Sequence, residues 1–96
     1  MRKSHREPEE ETKIELAEMV RRAIAREGLS QRSAGIRMGI DQPKVSSLMQ
    51  GRLVGFSVGR LIRFLTTLGH DIDITIKLKP RNRAQGRIRV QGDGQS

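Results

Sequence analysis

The chain has 96 residues, enough for one domain, and 34% of them are hydrophobic with only two aromatic residues, Phe56 and Phe64. Nineteen lysines and arginines against eleven acids give a formal net charge of +8, which favours an anionic partner, nucleic acid ahead of a membrane. The absence of cysteine excludes disulfides, thiolate metal sites and a cysteine nucleophile. No apolar run approaches the roughly 18 residues of a membrane span, and residues 1–11 lack the hydrophobic region of a signal peptide. We therefore expect a cytoplasmic protein that makes no use of a membrane.

The N-terminal part is predicted to be a flexible arm followed by a helix. Residues 1–11 are polar, contain Pro8 and end in three glutamates, a composition typical of a flexible arm. From Thr12 onward apolar residues recur every three to four positions, which indicates a helix. Thr12 and Glu15 have the spacing of a capping box at its start, and Gly28 is expected to end it.

Two short helices are predicted between residues 30 and 50. Ser30 and Asp41 are residue types that cap helix N-termini, so the helices would run from about 31 to 38 and from about 42 to 50. Gly39 lies between them and tolerates the positive φ of a sharp turn.

These two helices have the residue pattern of a helix-turn-helix. That motif needs small residues where its helices cross, here Ala34 and Gly35. It also needs buried aliphatic residues, for which the pattern predicts Met38, Ile40, Val45 and Leu48. The exposed face of the last helix is then formed by Gln42, Pro43, Lys44, Ser46, Ser47 and Gln50. Because these side chains can contact base edges, the residues from 31 to 50 predict binding of double-stranded DNA in the major groove.

The charge of the same region agrees with this prediction. Between Gly28 and His70 there are six basic residues and one acid, Asp41, a net charge of +5. The basic residues are Arg32, Arg37, Lys44, Arg52, Arg60 and Arg63. Contacts of such residues with phosphates set position and affinity but not sequence, and for Arg60 and Arg63 a solvated surface charge is an equally good interpretation.

The pattern changes after a fourth predicted helix over residues 58–68. Residues 71–79 alternate polar and apolar side chains, which is typical of a strand buried on one face. A lone strand leaves its backbone groups unpaired, so we expect antiparallel pairing with the same strand of a second copy about a two-fold axis. The alternative is a strand from a different protein. The expected dimer interface is Phe64, Leu68, Ile72, Ile74, Ile76 and Leu78.

Residues 80–96 are predicted to be a basic flexible tail, since four arginines stand there against one acid. The tail either adds sequence-independent affinity for nucleic acid or is a plain disordered extension. With the arm, it flanks a single DNA-binding and dimerisation domain over residues 12–79.

The segment from Leu29 to Gly51, LSQRSAGIRMGIDQPKVSSLMQG, resembles the core motif of the XRE (lambda-repressor-like) helix-turn-helix family, and the resemblance extends from about Lys13 to Leu78. It implies a mainly α fold of four to five short helices. At Gly35 the family commonly has alanine, and we expect the glycine to weaken the helix by about 1 kcal/mol without changing how it packs.

The resemblance also implies a role for individual residues in DNA binding. Gln31 and Arg32 would contact the phosphate backbone, as would Lys44 and Arg52. The residues that would face bases are Gln42, Pro43, Ser46 and Ser47, with Gln50 on the same face.

The stretch from Gly51 to Ile74 is similar to a subgroup of short XRE proteins that act as antitoxins beside small ribosome-dependent or gyrase-directed toxins, in which a strand follows four helices. This similarity implies a dimeric repressor of its own operon with a small basic toxin as partner. The alternative is a stand-alone XRE regulator without a toxin. An enzyme such as a small nuclease is not expected, because the sequence has no carboxylate–histidine cluster, metal-ligand spacing or activated nucleophile. No catalytic residue, metal or cofactor is predicted.

Overall fold

A computed structural model describes residues 7–92, and that range contains four helices. Helix α1 spans Pro8–Arg26, α2 spans Gln31–Met38, α3 spans Gln42–Met49 and α4 spans Val58–Thr67. The three shorter helices each begin after a side-chain oxygen that accepts the backbone N–H three residues ahead. The capping residues are Ser30, Asp41 and Ser57. The predicted caps of α2 and α3 are confirmed, because capping depends only on residues next to each other in sequence.

Helix α1 begins four residues earlier than the pattern predicts. Pro8 is its first helical residue, where the missing N–H of proline costs no hydrogen bond. The three glutamates after it lie in the first turn, and their charges favour the positive end of the helix dipole. Thr12 is not a cap: its hydroxyl donates to the Pro8 carbonyl at 2.7 Å from inside the helix. The predicted capping box is therefore wrong, and residues 8–11 of the predicted arm are helical, while residues 1–6 lie outside the described range.

The core forms where α1 packs against α4 and α2 packs against α3. It is aliphatic apart from the two phenylalanines, whose rings meet edge to face with centroids 6.0 Å apart and an angle of 78°. The largest fully buried side chains are those of Val20, Val45, Leu48, Leu61, Leu65 and Leu68. Every element contributes to this one core, so the position of α2 and α3 depends on α1 and α4.

The segment from residue 71 to 79 is not a strand in this structure. It follows the turn that ends α4 at residues 68–69 and itself contains no helix, turn or bend, and residues 7–92 contain no strand that could pair with it. Ile72 is half-buried against the core, but Ile74, Ile76 and Leu78 are 73%, 91% and 98% exposed. A strand is defined by the ladder of hydrogen bonds to its neighbour, and a single chain with no second strand cannot form one.

The other residues predicted for the dimer interface lie elsewhere. Phe64 and Leu68 are buried inside the chain's own core, where the Phe64 ring meets that of Phe56. Beyond residue 80 the chain returns to α1. Val90 packs against the core, and residues 85–88 line a groove of about 330 Å³ together with Pro8, Glu11 and Glu15. This part of the predicted tail therefore contacts the first helix, and residues 93–96 lie outside the described range.

Candidate nucleic-acid interface

Two glycines build the turn that sets α2 against α3. Gly39 has φ of +74°, the left-handed region that glycine adopts without strain. Its N–H and that of Ile40 both donate to the carbonyl of Gly35. A Cβ atom at Gly35 would lie 2.7 Å from the carbonyl oxygen of Ile40 and 3.2 Å from a methyl group of Val45. The turn into α3 thus approaches α2 more closely than an alanine allows. The expectation that Gly35 leaves the packing unchanged is wrong.

The inner face of α3 is anchored as predicted. Val45 and Leu48 are fully buried, as is Ala34 on the facing side of α2. Met38 is also buried, and Ile40 is half-buried at the turn. Arg21 of α1 adds a contact that the sequence did not suggest, because its guanidinium donates to the Leu48 carbonyl at 3.0 Å. The same carbonyl also accepts the Gly51 backbone N–H at 3.1 Å, so the arginine adds a second hydrogen bond there and ties the end of α3 to α1.

The opposite face of α3 carries the residues predicted to contact DNA. With 3.6 residues per turn, Pro43, Ser46, Ser47 and Gln50 lie on the side away from Val45 and Leu48. Gln42, Pro43, Lys44 and Gln50 are exposed, and Ser46 and Ser47 are half-buried. Gln31 and Arg32 are exposed at the start of α2. Arg32 and Gln42 line the same depression at the turn, next to the outer face of α3. The exposed residues of α3 and of the start of α2 are called the α2–α3 surface.

Gln50 is involved in a side-chain network at the end of α3. Its amide nitrogen donates to the Ser46 hydroxyl at 3.3 Å, and its amide oxygen accepts a hydrogen bond from the Arg52 guanidinium. The Arg52 backbone N–H donates to the Ser47 carbonyl at 2.9 Å. The Arg52 charge is thereby held next to the exposed face of α3, and the Gln50 amide is already engaged within the chain.

Five of the six basic residues counted in this region divide into two groups, and the sixth, Arg63, is exposed on α4. Arg37 pairs with Glu27 at 3.8 Å and donates to the Thr67 carbonyl at 3.5 Å. Arg60 lies 5.7 and 5.6 Å from the ring centroids of Phe56 and Phe64, a distance at which a cation is attracted to an aromatic face. Arg37 and Arg60 thus contact other groups of the chain's own fold. Arg32, Lys44 and Arg52 are exposed on the α2–α3 surface, and a count along the sequence could not tell the two groups apart.

Asp41 is the one acid in this region, and its carboxylate is used as a cap. It accepts the backbone N–H of Lys44 at 3.1 Å. The negative charge thus lies at the positive end of the α3 dipole, and the surface around it stays basic.

Two exposed apolar residues beside this surface were not assigned a role by sequence reasoning. Ile36 on α2 is 74% exposed, and Val54 in the loop after α3 is 98% exposed. Ile36 borders a shallow depression of about 560 Å³ at the turn, lined also by Arg32 and Gln42. For Ile36 the sequence did contain a signal, because this aliphatic residue lies outside the buried face of its helix.

Other kinds of site find no support in the described part of the chain. Residues 7–92 contain no group of three or more histidine, aspartate or glutamate side chains that could hold a metal ion. None of the helices in that range is both long and apolar enough to cross a membrane.

Known proteins resemble the chain in both sequence and fold. A family model described as "Helix-turn-helix domain" matches residues 3–77. A solved structure of a "Putative XRE Family Transcriptional Regulator" is 47% identical, with a TM-score of 0.83, and the match covers 88% of this chain and 96% of that one. No curated protein matches the chain.

Proposed function

The chain belongs to the XRE family of helix-turn-helix proteins, and from that membership we propose that it is a transcriptional regulator that binds double-stranded DNA in a sequence-specific way. The observation that carries the proposal is the α3 surface. A helix anchored by Val45 and Leu48 presents small and amide side chains outward, with exposed basic residues around them. Because the proposed target is an operator, we expect the protein to act in the cytoplasm.

In this proposal α3 lies in the major groove. Gln42 can form two hydrogen bonds with adenine, Ser46 and Ser47 can donate or accept at base edges, and the Pro43 ring can contact a thymine methyl group. The phosphate contacts come from Gln31, Arg32, Lys44 and Arg52. These contacts orient α3 but carry no sequence information. Gln50 supports Arg52 through the hydrogen bond between them.

We propose that the protein acts as a homodimer. Its support is the extended segment after α4, where Ile74, Ile76 and Leu78 are exposed and the backbone has no ladder partner among residues 7–92. Pairing of this segment between two copies would cover part of the three side chains and would pair the backbone groups that face the other copy. Two copies related by a two-fold axis would present two α3 helices to half-sites about 34 Å apart, or a multiple of that.

The more specific role that we propose is that of an antitoxin in a type II toxin–antitoxin pair, which represses its own operon. Its support is the similarity of residues 51–74 to short antitoxins. The partner would be a small basic toxin, held by α1 or by the C-terminal tail. A stand-alone regulator is the second candidate, and it is favoured by the similar solved structure, which is described as a transcriptional regulator with no mention of a toxin. An adjacent gene for a small basic protein would support the antitoxin, and its absence the stand-alone regulator.

Footprinting of the protein on its own promoter tests the central proposal. The double variant Gln42→Ala, Ser46→Ala is expected to lose the footprint but to keep salt-sensitive, non-specific binding, since the phosphate contacts remain. A matched control replaces one glutamine and one hydroxyl elsewhere, Gln85→Ala with Thr66→Ala, and should keep the footprint. If the first variant retained a footprint at unchanged protein concentration, α3 would not be the reading helix.

A further inference from the structure

The charged residues of the extended segment 71–79 are arranged symmetrically about its centre, with an acid on one side matched by a base on the other. Two acids, Asp71 and Asp73, come before Thr75, and two bases, Lys77 and Lys79, follow it at the same spacing. All five side chains are exposed. The segment is therefore acidic at one end, basic at the other and neutral in the middle.

We infer that this segment pairs with the same segment of a second copy, antiparallel, with Thr75 on the two-fold axis. Asp73 then lies opposite Lys77 of the partner subunit, and Asp71 lies opposite Lys79 of the partner subunit. The inference rests on the proposed homodimer and adds its register. It also selects a second copy over a different protein, because the segment itself carries the complementary charges.

Other pairings fit the charges less well. In the proposed register four cross-strand pairs of opposite charge form and no like charges face each other. Within residues 71–79 a shift of two residues in either direction leaves two such pairs, because one acid and one base of each copy lose their opposite partners. In one direction Asp71 would face Arg81 of the partner subunit, but Pro80 interrupts the ladder before that residue. A parallel pairing in register places acids opposite acids and bases opposite bases, which is destabilising. A shift of one residue would place polar residues opposite apolar ones. Ile74 and Ile76 would then share a face with the polar side chains of the partner subunit.

The exposure of the apolar residues agrees with the same register. Ile74 would lie opposite Ile76 of the partner subunit, and Leu78 would lie opposite Ile72 of the partner subunit. Ile72 is half-buried at the edge of its own core, whereas Leu78 is 98% exposed. Pairing therefore places the most exposed apolar side chain of each segment next to the core of the other copy. Each segment would extend the apolar surface that its partner begins.

Cysteine cross-linking tests the register directly, because the chain contains no cysteine. In the full-length protein, Thr75→Cys is expected to form a disulfide-linked dimer on mild oxidation. Directly opposite Cα atoms of antiparallel strands lie about 4.5–5.5 Å apart, within the range of about 4.4–6.8 Å that a disulfide spans. Asp73→Cys alone and Lys77→Cys alone should stay unlinked, because their identical residues would be four positions, about 13 Å, apart along the strands. An equal mixture of these two variants should cross-link.

The pattern of cross-links decides the outcome. A link through position 75 and through the 73–77 mixture, with neither single control linked, supports the inference. A link by Asp73→Cys alone would overturn the register, and the absence of any link in the Thr75→Cys protein and in the mixture would overturn the pairing. The mixture also covers the case in which Thr75→Cys does not fold.

Charge exchange gives a second, independent measurement by sedimentation equilibrium. Asp73→Lys is expected to raise the dimer dissociation constant roughly tenfold, because two attractive cross-strand pairs become repulsive. Adding Lys77→Asp to the same chain should restore dimerisation, since the exchanged charges are again complementary. Failure of the second change to restore it would contradict the register.

Footprinting distinguishes the failure of this inference from the failure of the proposed function. A dimer cross-linked at position 75 that protects no promoter DNA would leave the register intact and remove the DNA-binding role. A protein that protects an operator but does not cross-link in this pattern would leave the DNA-binding role intact and remove the register.

Discussion

Replacing Gly35 with alanine is expected to destabilise the protein, although alanine is the better helix former. Inside α2 the substitution gains about 1 kcal/mol of helix propensity. The added methyl group would lie 2.7 Å from the Ile40 carbonyl oxygen, and ordinary contacts begin at 3.4 Å. The turn must therefore move by about 0.7 Å, the difference between these two distances. The obstacle is a backbone carbonyl group, which cannot move aside by changing rotamer as a side chain can.

The cost of that movement is at least as large as the gain. Inserting a methyl group into a well-packed site costs about 1–3 kcal/mol and the helix propensity returns about 1 kcal/mol, so the net loss in unfolding free energy is about 0–2 kcal/mol. The displaced residue, Ile40, leads directly into α3. Operator affinity is therefore expected to fall with stability, because α3 would shift relative to the start of α2 while both contact the same DNA.

Urea unfolding followed by circular dichroism measures the stability change, and Gly59→Ala is the matched control. Gly59 lies in the first turn of α4, and a Cβ atom there would meet only the Ser57 hydroxyl at 4.0 Å. This control should gain up to about 1 kcal/mol. If Gly35→Ala stabilised the protein as much as Gly59→Ala does, the close approach at the turn would not constrain the packing and the reasoning would be refuted.

Two further predictions concern charged residues. Asp41→Ala is expected to lower the unfolding free energy by about 1 kcal/mol through loss of the α3 cap; urea unfolding measures this, and Asp41→Asn, which keeps a capping oxygen, should recover most of it. Arg52→Ala is expected to weaken binding equally for all DNA sequences and to reduce the salt dependence by about one phosphate contact. Arg60→Ala should instead lower stability by about 0.5–1 kcal/mol through loss of its contacts with the phenylalanine rings, and it should leave the salt dependence of DNA binding unchanged. DNA titrations at several salt concentrations measure this. If Arg52→Ala and Arg60→Ala had the same salt dependence, the division of the arginines into two groups would be wrong.

The helix-turn-helix could be read from the sequence because its determinants are local. Ser30 and Asp41 cap backbone groups three residues away, Gly39 closes the turn by its own φ, and Val45 and Leu48 reach the core by helical periodicity alone. Local signals gave a wrong prediction for the start of the first helix, because Thr12 and Glu15 have the spacing of a capping box but the helix begins at Pro8. Two start signals lay within four residues, and the sequence offered no reason to prefer the outer one.

The tertiary structure decided what depends on residues far apart in the sequence. Whether an arginine is exposed to DNA or used in the fold depends on its neighbours in space: Arg37 meets Glu27, and Arg60 meets two rings. Position 35 requires a residue without a Cβ atom because the Ile40 carbonyl lies against it, a contact that is visible only in the tertiary structure. The alternation of residues 71–79 determines which side chains share a face, but a strand also needs hydrogen bonds to a second strand. Residues 7–92 contain no second strand, so within the described part of the chain the alternation alone does not produce a strand.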